Sequence, residues 1–443
     1  DISANNPPWL LREGRFVIAG GSFSSLGGFR IGSSASTLAP IETVVTDGGS
    51  ITLSVPAANL RVGDGAPHAP SRLIVENGTV SLQGGLIGLP YVGECTGEVW
   101  QTGGWVKDAY VVYSYHAAGH GTYAVTNGIL EPFQIRRDSA GGTAIMRFNN
   151  AQLRPALGAD GANFMRGLDE AEIQSGGLTI DATTDVTIAQ ALSGAGGLTK
   201  INFYTVALTG ANSYAGNTLI QEGKLGLPTT QTNAAGIQVA AGAELEVTRV
   251  TTASTLTAGS LNLGTSTLNF DLGAFPNPTV PVMRVNTLSP SGGAGSVSIN
   301  ISGGLGLSLG QFPLVKYDGA IGGAGYSAFT LGALPPGVGA TLVNNTANAS
   351  IDLKITAAPG FRWTGANGNS WDYWTMNWVD LGAGTPAIYT DGQPTYFLDG
   401  ATTGLVDLTG NFTPADLVIS NNSLTYVFGG FGNLSVPRLT KSG

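Results

Sequence analysis

The sequence predicts an all-β fold, a right-handed parallel β-helix in which short strands stack in successive turns. Apolar and polar residues alternate over short segments, and helical spacing is nearly absent. The 443 residues include 67 glycines and only 11% charged residues, unlike a helical or α/β enzyme. Strand–turn–strand units also recur at solenoid-like intervals. At the spacing of stacked strands, about 4.8 Å, we expect roughly 17 to 20 turns and a rigid rod.

Residues 51–162 show the repeats most plainly, and we interpret them as β-helix coils. The segments RLIVENGTVSL, EVWQTGGWV, TYAVTNGIL and TAIMRFNNAQL each join two strands through a Gly or Asn turn. The turns fall at Gly78, Gly104, Gly128 and Asn150, which are 26, 24 and 22 residues apart. Gly and Asn accept the positive φ that a sharp corner needs. Each coil can bury its apolar side only against its neighbours, so the coils should stack.

Residues 163–235 combine a linker with the most specific motif of the chain. In the segment 163–192, Leu168, Ala171 and Ile173 hint at a helical turn before strands resume. The following segment, GAGGLTKINFYTVALTGANSYAGNTLIQEGKLGL, runs from Gly194 to Leu227. At period two its apolar residues form short strands between GG, TGAN and EGK turns. The residues of those strands are Leu198, the line Phe203, Thr205 and Ala207, and then Leu219 and Leu225.

This motif closely resembles the passenger-associated transport repeat of bacterial autotransporters. INFYTVA departs from the family pattern, which has a Gly-containing segment after Lys200. The resemblance implies a passenger-type protein, secreted or on the bacterial cell surface, that serves as a rigid rod, stalk or adhesin. The matching residues are Gly197, Leu198, Thr199, Lys200, Leu208, Thr209, Gly210, Ala211, Asn212, Tyr214, Gly216, Thr218, Gly223 and Leu225.

Strand-like alternation continues through residues 236–357, where AFPNPTVP, residues 274–281, should break pairing because proline lacks an amide donor. We expect this proline segment to leave the coil. Residues 358–443 form a Trp-rich unit with terminal coils and resemble a second recurrent unit of the same surface-protein arrays. The residues that carry this second resemblance are Trp363, Thr364, Gly365, Trp371, Asn377 and Trp378.

The Trp-rich unit supplies the candidate binding residues, because flat aromatic rings can stack on the apolar faces of sugars. The same rings can instead pack the end of a coil, and packing is the interpretation we favour, since large aromatics most often serve burial. The candidate glycan-binding residues are Trp363, Trp371, Tyr373, Trp374 and Trp378.

Catalytic and metal chemistry is not indicated, and we expect neither an enzyme nor a cofactor. His116 and His120 fall on a Gly-containing turn, where their spacing loses the meaning it has on a helix. The alternative function is a polysaccharide-binding or pectate-lyase-like protein, in which the acidic residues would converge near Arg166. We favour a simpler interpretation of these residues, a solvated linker. The single cysteine, Cys95, should be buried. The acidic residues in question are Asp160, Asp169, Glu170, Glu172, Asp181 and Asp185.

Charge and hydropathy limit the partners. A net charge of −9 and few basic residues argue against nucleic acid and anionic membranes. No apolar run is long enough for a membrane-spanning helix, and the start at Asp1 suggests a processed or excerpted form. Surface polysaccharide is the other candidate partner.

Self-association is the partner that the sequence favours. The terminal Leu439–Thr440–Lys441 repeats Leu198–Thr199–Lys200, so a new repeat begins and the last coil should be open to a neighbour. A head-to-tail contact there would build a fibre. We interpret residues 1–50 as a cap or assembly arm, and deleting residues 1–11 should abolish polymerisation.

Overall fold

A computed structural model describes residues 9–32, 40–55, 58–64, 69–91, 94–114, 119–304 and 307–442. The fold is all-β, with 53% strand and 2% helix. Parallel strands stack in about 17 turns and form a β-solenoid, which confirms the predicted fold class. The chain divides into two compact units, Asp1–Leu245 with Ala258–Asn262, and Glu246–Thr257 with Leu263–Gly443.

The strands up to residue 248 are short because a Gly, Asn or Asp corner interrupts the alternating pattern every few residues. One 3₁₀ helix, Gly161–Asn163, lies among them. The strands are β1 Trp9–Leu11, β2 Arg15–Ala19, β3 Ser22–Ser25, β4 Phe29–Ile31, β5 Ile41–Thr46, β6 Ser50–Leu53, β7 Leu60–Val62, β8 Ser71–Val75, β9 Thr79–Leu89, β10 Thr96–Gln101, β11 Trp105–Tyr113, β12 His120–Thr126, β13 Ile129–Arg137, β14 Thr143–Asn149, β15 Ala151–Leu153, β16 Met165–Arg166, β17 Glu170–Ile173, β18 Leu178–Asp181, β19 Val186–Ile188, β20 Leu198–Ile201, β21 Thr205–Leu208, β22 Thr218–Ile220, β23 Lys224–Pro228, β24 Thr232–Val239 and β25 Glu244–Thr248.

The remaining strands follow the same pattern, with one further 3₁₀ helix, Gly325–Ala328. They are β26 Leu256–Leu263, β27 Ser266–Asp271, β28 Met283–Pro290, β29 Val297–Ser302, β30 Gly310–Lys316, β31 Phe329–Leu331, β32 Gly339–Asn345, β33 Ser350–Ala357, β34 Phe361–Trp363, β35 Ser370–Trp371, β36 Trp378–Asp380, β37 Thr385–Ala387, β38 Pro394–Leu398, β39 Leu405–Leu408, β40 Asn411–Phe412, β41 Asp416–Ser420, β42 Val427–Gly430, β43 Asn433–Leu434 and β44 Leu439–Ser442.

The corners predicted between residues 51 and 162 stack on one another. The amide of Trp105 donates to the carbonyl of Gly78 at 2.9 Å, one turn before it. Gly104 and Asn150 have positive φ, as predicted, but at the third corner Asn127 adopts it instead of Gly128. At Gly78 the requirement is space, because a Cβ there would lie 2.3 Å from the carbonyl oxygen of Gly49.

The described part of residues 1–50 is itself solenoid, which the sequence did not predict. β1 pairs in parallel with β4, β2 with β5, and β3 with β6. Residues 1–8 lie outside the described residues, so an assembly arm there stays a prediction. Deleting residues 1–11 would remove β1 as well, so a clean test of the arm deletes residues 1–8 alone.

The interpretation of residues 163–192 as a linker with a helical turn is wrong. Four strands, β16 to β19, occupy this segment, and β17 stacks in register on β14. Ala171 and Ile173 are buried at alternate positions of β17, which is strand periodicity. Leu168, just before it, is buried as well.

Phe203 does not continue the alternating line of the transport repeat. It precedes β21 and is 72% exposed, whereas Val206 and Leu208 are the buried residues of that strand. The register is therefore shifted by one residue from the predicted line. Cys95 is buried, as expected.

In the second unit, parallel stacking is combined with antiparallel pairing. β27, β29 and β31 pair in parallel, but β33 pairs antiparallel with β30 and β32. In the Trp-rich unit, β34, β38, β41 and β44 are parallel neighbours, and β36 pairs antiparallel with β34 and β37.

The proline segment has no strand, as predicted. Arg249 is buried and fixes it, since its Nη1 atom donates to the carbonyl of Pro276 at 2.6 Å. The excursion is therefore an ordered part of the second unit.

Candidate functional site

The three tryptophans Trp363, Trp371 and Trp378 form the core of the Trp-rich unit. All three are fully buried, and the Trp371 ring lies 4.9 Å from those of both Trp378 and Phe412. Their neighbours in this cluster are Phe361, Tyr389, Phe397, Val406, Leu408, Phe412 and Leu417. A ring enclosed on all sides cannot stack on a sugar, so these three residues are packing residues and not a binding surface.

Tyr373 and Trp374 occupy the loop that follows this core. Tyr373 is half-buried, and its hydroxyl oxygen lies 2.8 Å from the Asp391 carboxylate and 2.7 Å from the Asn411 carbonyl, two acceptors that compete for its one proton. Trp374 is 77% exposed. Two of the five candidate residues therefore reach the surface side by side, with ring centroids 6.3 Å apart.

Asp391 is held as an anion at this surface. Burial favours its neutral form, but hydrogen bonds from the Thr413 amide and the Tyr373 hydroxyl outweigh that effect and lower its pKa. Burial and the bond to Asp391 raise the pKa of Tyr373 to about 12. At neutral pH the pair is a carboxylate beside a protonated phenol. Asp391 was not among the sequence candidates, and no signal near it in the sequence could have suggested it.

The acidic residues of the predicted alternative do not converge. Asp169 pairs with Arg137 at 2.6 Å, and Asp181 accepts from Gln152 at 2.9 Å. Glu170 and Glu172 both pair with Arg147, Asp160 accepts from Gln134, and Asp185 accepts from the Thr205 amide. Arg166 is exposed and lies in register with Arg136. These carboxylates bind partners on neighbouring turns. The acidic residues therefore do not form the solvated linker that the sequence suggested.

The histidine pair likewise gives no site. His116 lies outside the described residues, and the Nδ1 atom of His120 is 3.1 Å from the hydroxyl of Thr143. Over the described residues, no group of three or more His, Cys, Asp or Glu could hold a metal ion.

Polar residues of the motif at 194–227 form a buried hydrogen-bond network with Gln231. Asn212 accepts from the Leu192 amide at 2.9 Å, and its own amide group donates to Gln231 at 3.2 Å. Gln231 donates to the Tyr214 hydroxyl, which lies 2.7 Å from that of Thr218. Asn212, Tyr214 and Thr218 therefore provide hydrogen-bond partners for buried polar groups inside the solenoid.

Lys200 of the same motif is completely buried between Ile180 and Ile220 of the adjacent turns. Its ammonium donates to the carbonyls of Asn202 and Glu222, the second at 3.0 Å. Gly223 leaves room for it, because a Cβ there would lie 2.6 Å from Nζ. Desolvation lowers the pKa of Lys200 to about 8, although acidic neighbours oppose the shift.

This buried ammonium predicts a pH dependence of stability. Between the folded pKa near 8 and the unfolded value of about 10.4, the unfolded chain binds a proton that the folded chain does not. The free energy of unfolding should therefore rise from pH 8 to pH 10, by about 2–3 kcal/mol. Urea unfolding of the wild type and Lys200→Met at both pH values isolates this contribution. A rise of equal size in the variant would contradict it.

Alternating charges also join the turns on the outer surface of the first unit. On the stacked strands β5, β8 and β10, Arg72 pairs with Glu42 at 3.4 Å and with Glu98 at 2.7 Å. Elsewhere in the unit, Arg154 lies 3.8 Å from Glu131 and 3.5 Å from Asp181. Each of these partly exposed pairs is worth about 1 kcal/mol. Their position on consecutive turns nevertheless favours one register of stacking.

Comparison with known proteins gives no match: no family model, curated protein or solved structure is similar to this chain. The resemblance to the transport repeat therefore depends on the motif residues alone. Among the described residues, no helix is sufficiently long and apolar to cross a membrane.

Proposed function

We propose that the chain is an extracellular structural protein of autotransporter-passenger type, secreted or held on a bacterial surface as a stalk or adhesin. One observation carries the proposal: in the described part of the chain, polar and charged groups join consecutive turns of the solenoid, and the acidic residues considered for catalysis do not converge. Asn212, Lys200 and the Arg72 ion pairs are all used in this way. Stacking of this kind suits a protein whose task is to hold its shape outside the cell.

The alternative, a polysaccharide-degrading β-helix, has less support. Such an enzyme needs carboxylates gathered near a base, whereas Asp169 and Asp181 each bind their own partner on different strands. That the chain is not an enzyme, and that it associates with itself, stay predictions.

Two lysines allow the location to be tested on intact cells. Lys354 is exposed and Lys200 is completely buried. A membrane-impermeant amine-reactive biotin reagent, applied to intact producing cells and their medium, should label Lys354 but leave Lys200 unlabelled. Peptide mass spectrometry reports both positions, and Lys200 shows that the labelled molecules are folded.

The Lys354→Arg variant should lose the biotin signal assigned to Lys354. A cytoplasmic protein that stays unlabelled shows that the cells were intact. Labelling of Lys354 only after the cells are lysed would contradict an extracellular location.

A further inference from the structure

Trp374 is exposed on a loop that hydrogen bonds hold in place. Asp372 accepts from the Trp374 amide at 2.9 Å and from the Thr375 amide and hydroxyl. Asn367 closes the loop by donating to the carbonyl of Met376 at 2.7 Å. A fixed backbone therefore presents the ring to solvent. A ligand would not have to order this loop on binding, which lowers the entropic cost of binding.

Polar groups surround this ring. The Tyr373 hydroxyl and the Asp391 carboxylate form one pair beside it. Asn411 and Asn433, on adjacent strands, are exposed and joined by a hydrogen bond of 2.9 Å. Carboxylate, hydroxyl and amide groups beside an aromatic face can bind the hydroxyls of a sugar while the ring covers its apolar face.

A second exposed ring follows a strand that lies two strands away from the Trp374 loop. Phe431 is 83% exposed and directly follows β42, whose Gly430 pairs in register with Leu408. Leu408 in turn is the neighbour of Trp371. Two strand spacings, about 10 Å, thus separate the Phe431 position from the start of the Trp374 loop. An extended chain of sugars could contact both positions.

We propose that this surface, defined by Tyr373, Trp374, Asp391, Asn411 and Phe431, binds a polysaccharide of neutral or amino sugars. The Asp391 carboxylate and the net charge of −9 disfavour acidic sugars. The carboxylate, hydroxyl and amide groups beside Trp374 suit the many hydroxyls of a polysaccharide better than a large apolar partner surface. This inference goes beyond the proposed structural function and does not depend on it.

Affinity gel electrophoresis of the full chain tests the proposal with three soluble polymers. Hydroxyethyl cellulose and glycol chitosan represent neutral and amino sugars, and polygalacturonate represents acidic ones. At least one of the first two should retard the wild type, and Trp374→Ala should weaken that binding about tenfold or more. Trp374→Phe should recover part of it, because a ring is restored.

Phe203→Ala is the matched control, since it removes an equally exposed aromatic ring of the first unit. It should leave binding unchanged. Binding of polygalacturonate alone, equal binding by Trp374→Ala, or no retardation by either neutral or amino polymer would overturn the proposal. So would self-association in sedimentation velocity that Trp374→Ala abolishes, because the ring would then be covered by a second copy.

Discussion

Trp371→Ala is expected to lower the free energy of unfolding of the Trp-rich unit by about 3–5 kcal/mol. The indole is fully buried and has Trp378, Tyr389, Phe397 and Phe412 within 5.5 Å, measured between ring centroids. Truncation removes the apolar surface of the Trp371 indole and leaves a cavity that is lined by the four neighbouring rings. Urea unfolding followed by tryptophan fluorescence measures the effect.

Trp374→Ala is the control for this experiment, because it also removes one indole but from an exposed position. Its unfolding free energy should stay within about 0.5 kcal/mol of the wild type. Equal urea unfolding midpoints for Trp371→Ala and Trp374→Ala would show that the buried cluster does not stabilise the Trp-rich unit.

Gly216→Ala should be the second strongly destabilising change, by about 2–3 kcal/mol. The new Cβ would lie 2.3 Å from the Gly197 nitrogen and 2.6 Å from the Gly196 oxygen, both backbone atoms of the adjacent turn. The two turns would have to separate, which stretches the bond of 3.0 Å from the Gly216 amide to the Gly196 carbonyl. Urea unfolding followed by circular dichroism measures the loss.

Gly21→Ala is the matched control in the same unit. A Cβ on Gly21 meets nothing within 4 Å, and its φ is not in the left-handed region. Stability should therefore change by no more than about 0.5 kcal/mol. Equal stabilities for the Gly216→Ala and Gly21→Ala proteins would mean that the close contact between turns is relieved without loss.

The solenoid could be predicted because its local rules repeat. Alternation and corner residues such as Gly104 and Asn150 act within a few positions, so they are visible in the sequence. The prediction failed in 163–192, where the three-residue step from Leu168 to Ala171 suggested a helical turn, although Ala171 and Ile173 alternate as in a strand. The antiparallel β32–β33 pair was also missed, although Asn344 and Asn345 precede its turn, because parallel and antiparallel strands alternate alike.

The candidate site was predicted only in part. The sequence singled out five aromatic residues but could not separate Trp371, which is buried, from Trp374, which is exposed, because both lie in one short segment. Tertiary packing decides between them. Asp391 is brought to Tyr373 by a later turn, and nothing near it in the sequence indicates the contact.

The close packing around Gly223 restricts what evolution can place at this position. While residue 200 is lysine, a side chain at residue 223 would collide with its ammonium. A short residue at position 200 would not free residue 223, because the same Cβ would lie 2.5 Å from the carbonyl carbon of Phe203 and 2.6 Å from the carbonyl oxygen of Asn202. Related sequences should therefore keep glycine at residue 223 whichever residue occupies position 200.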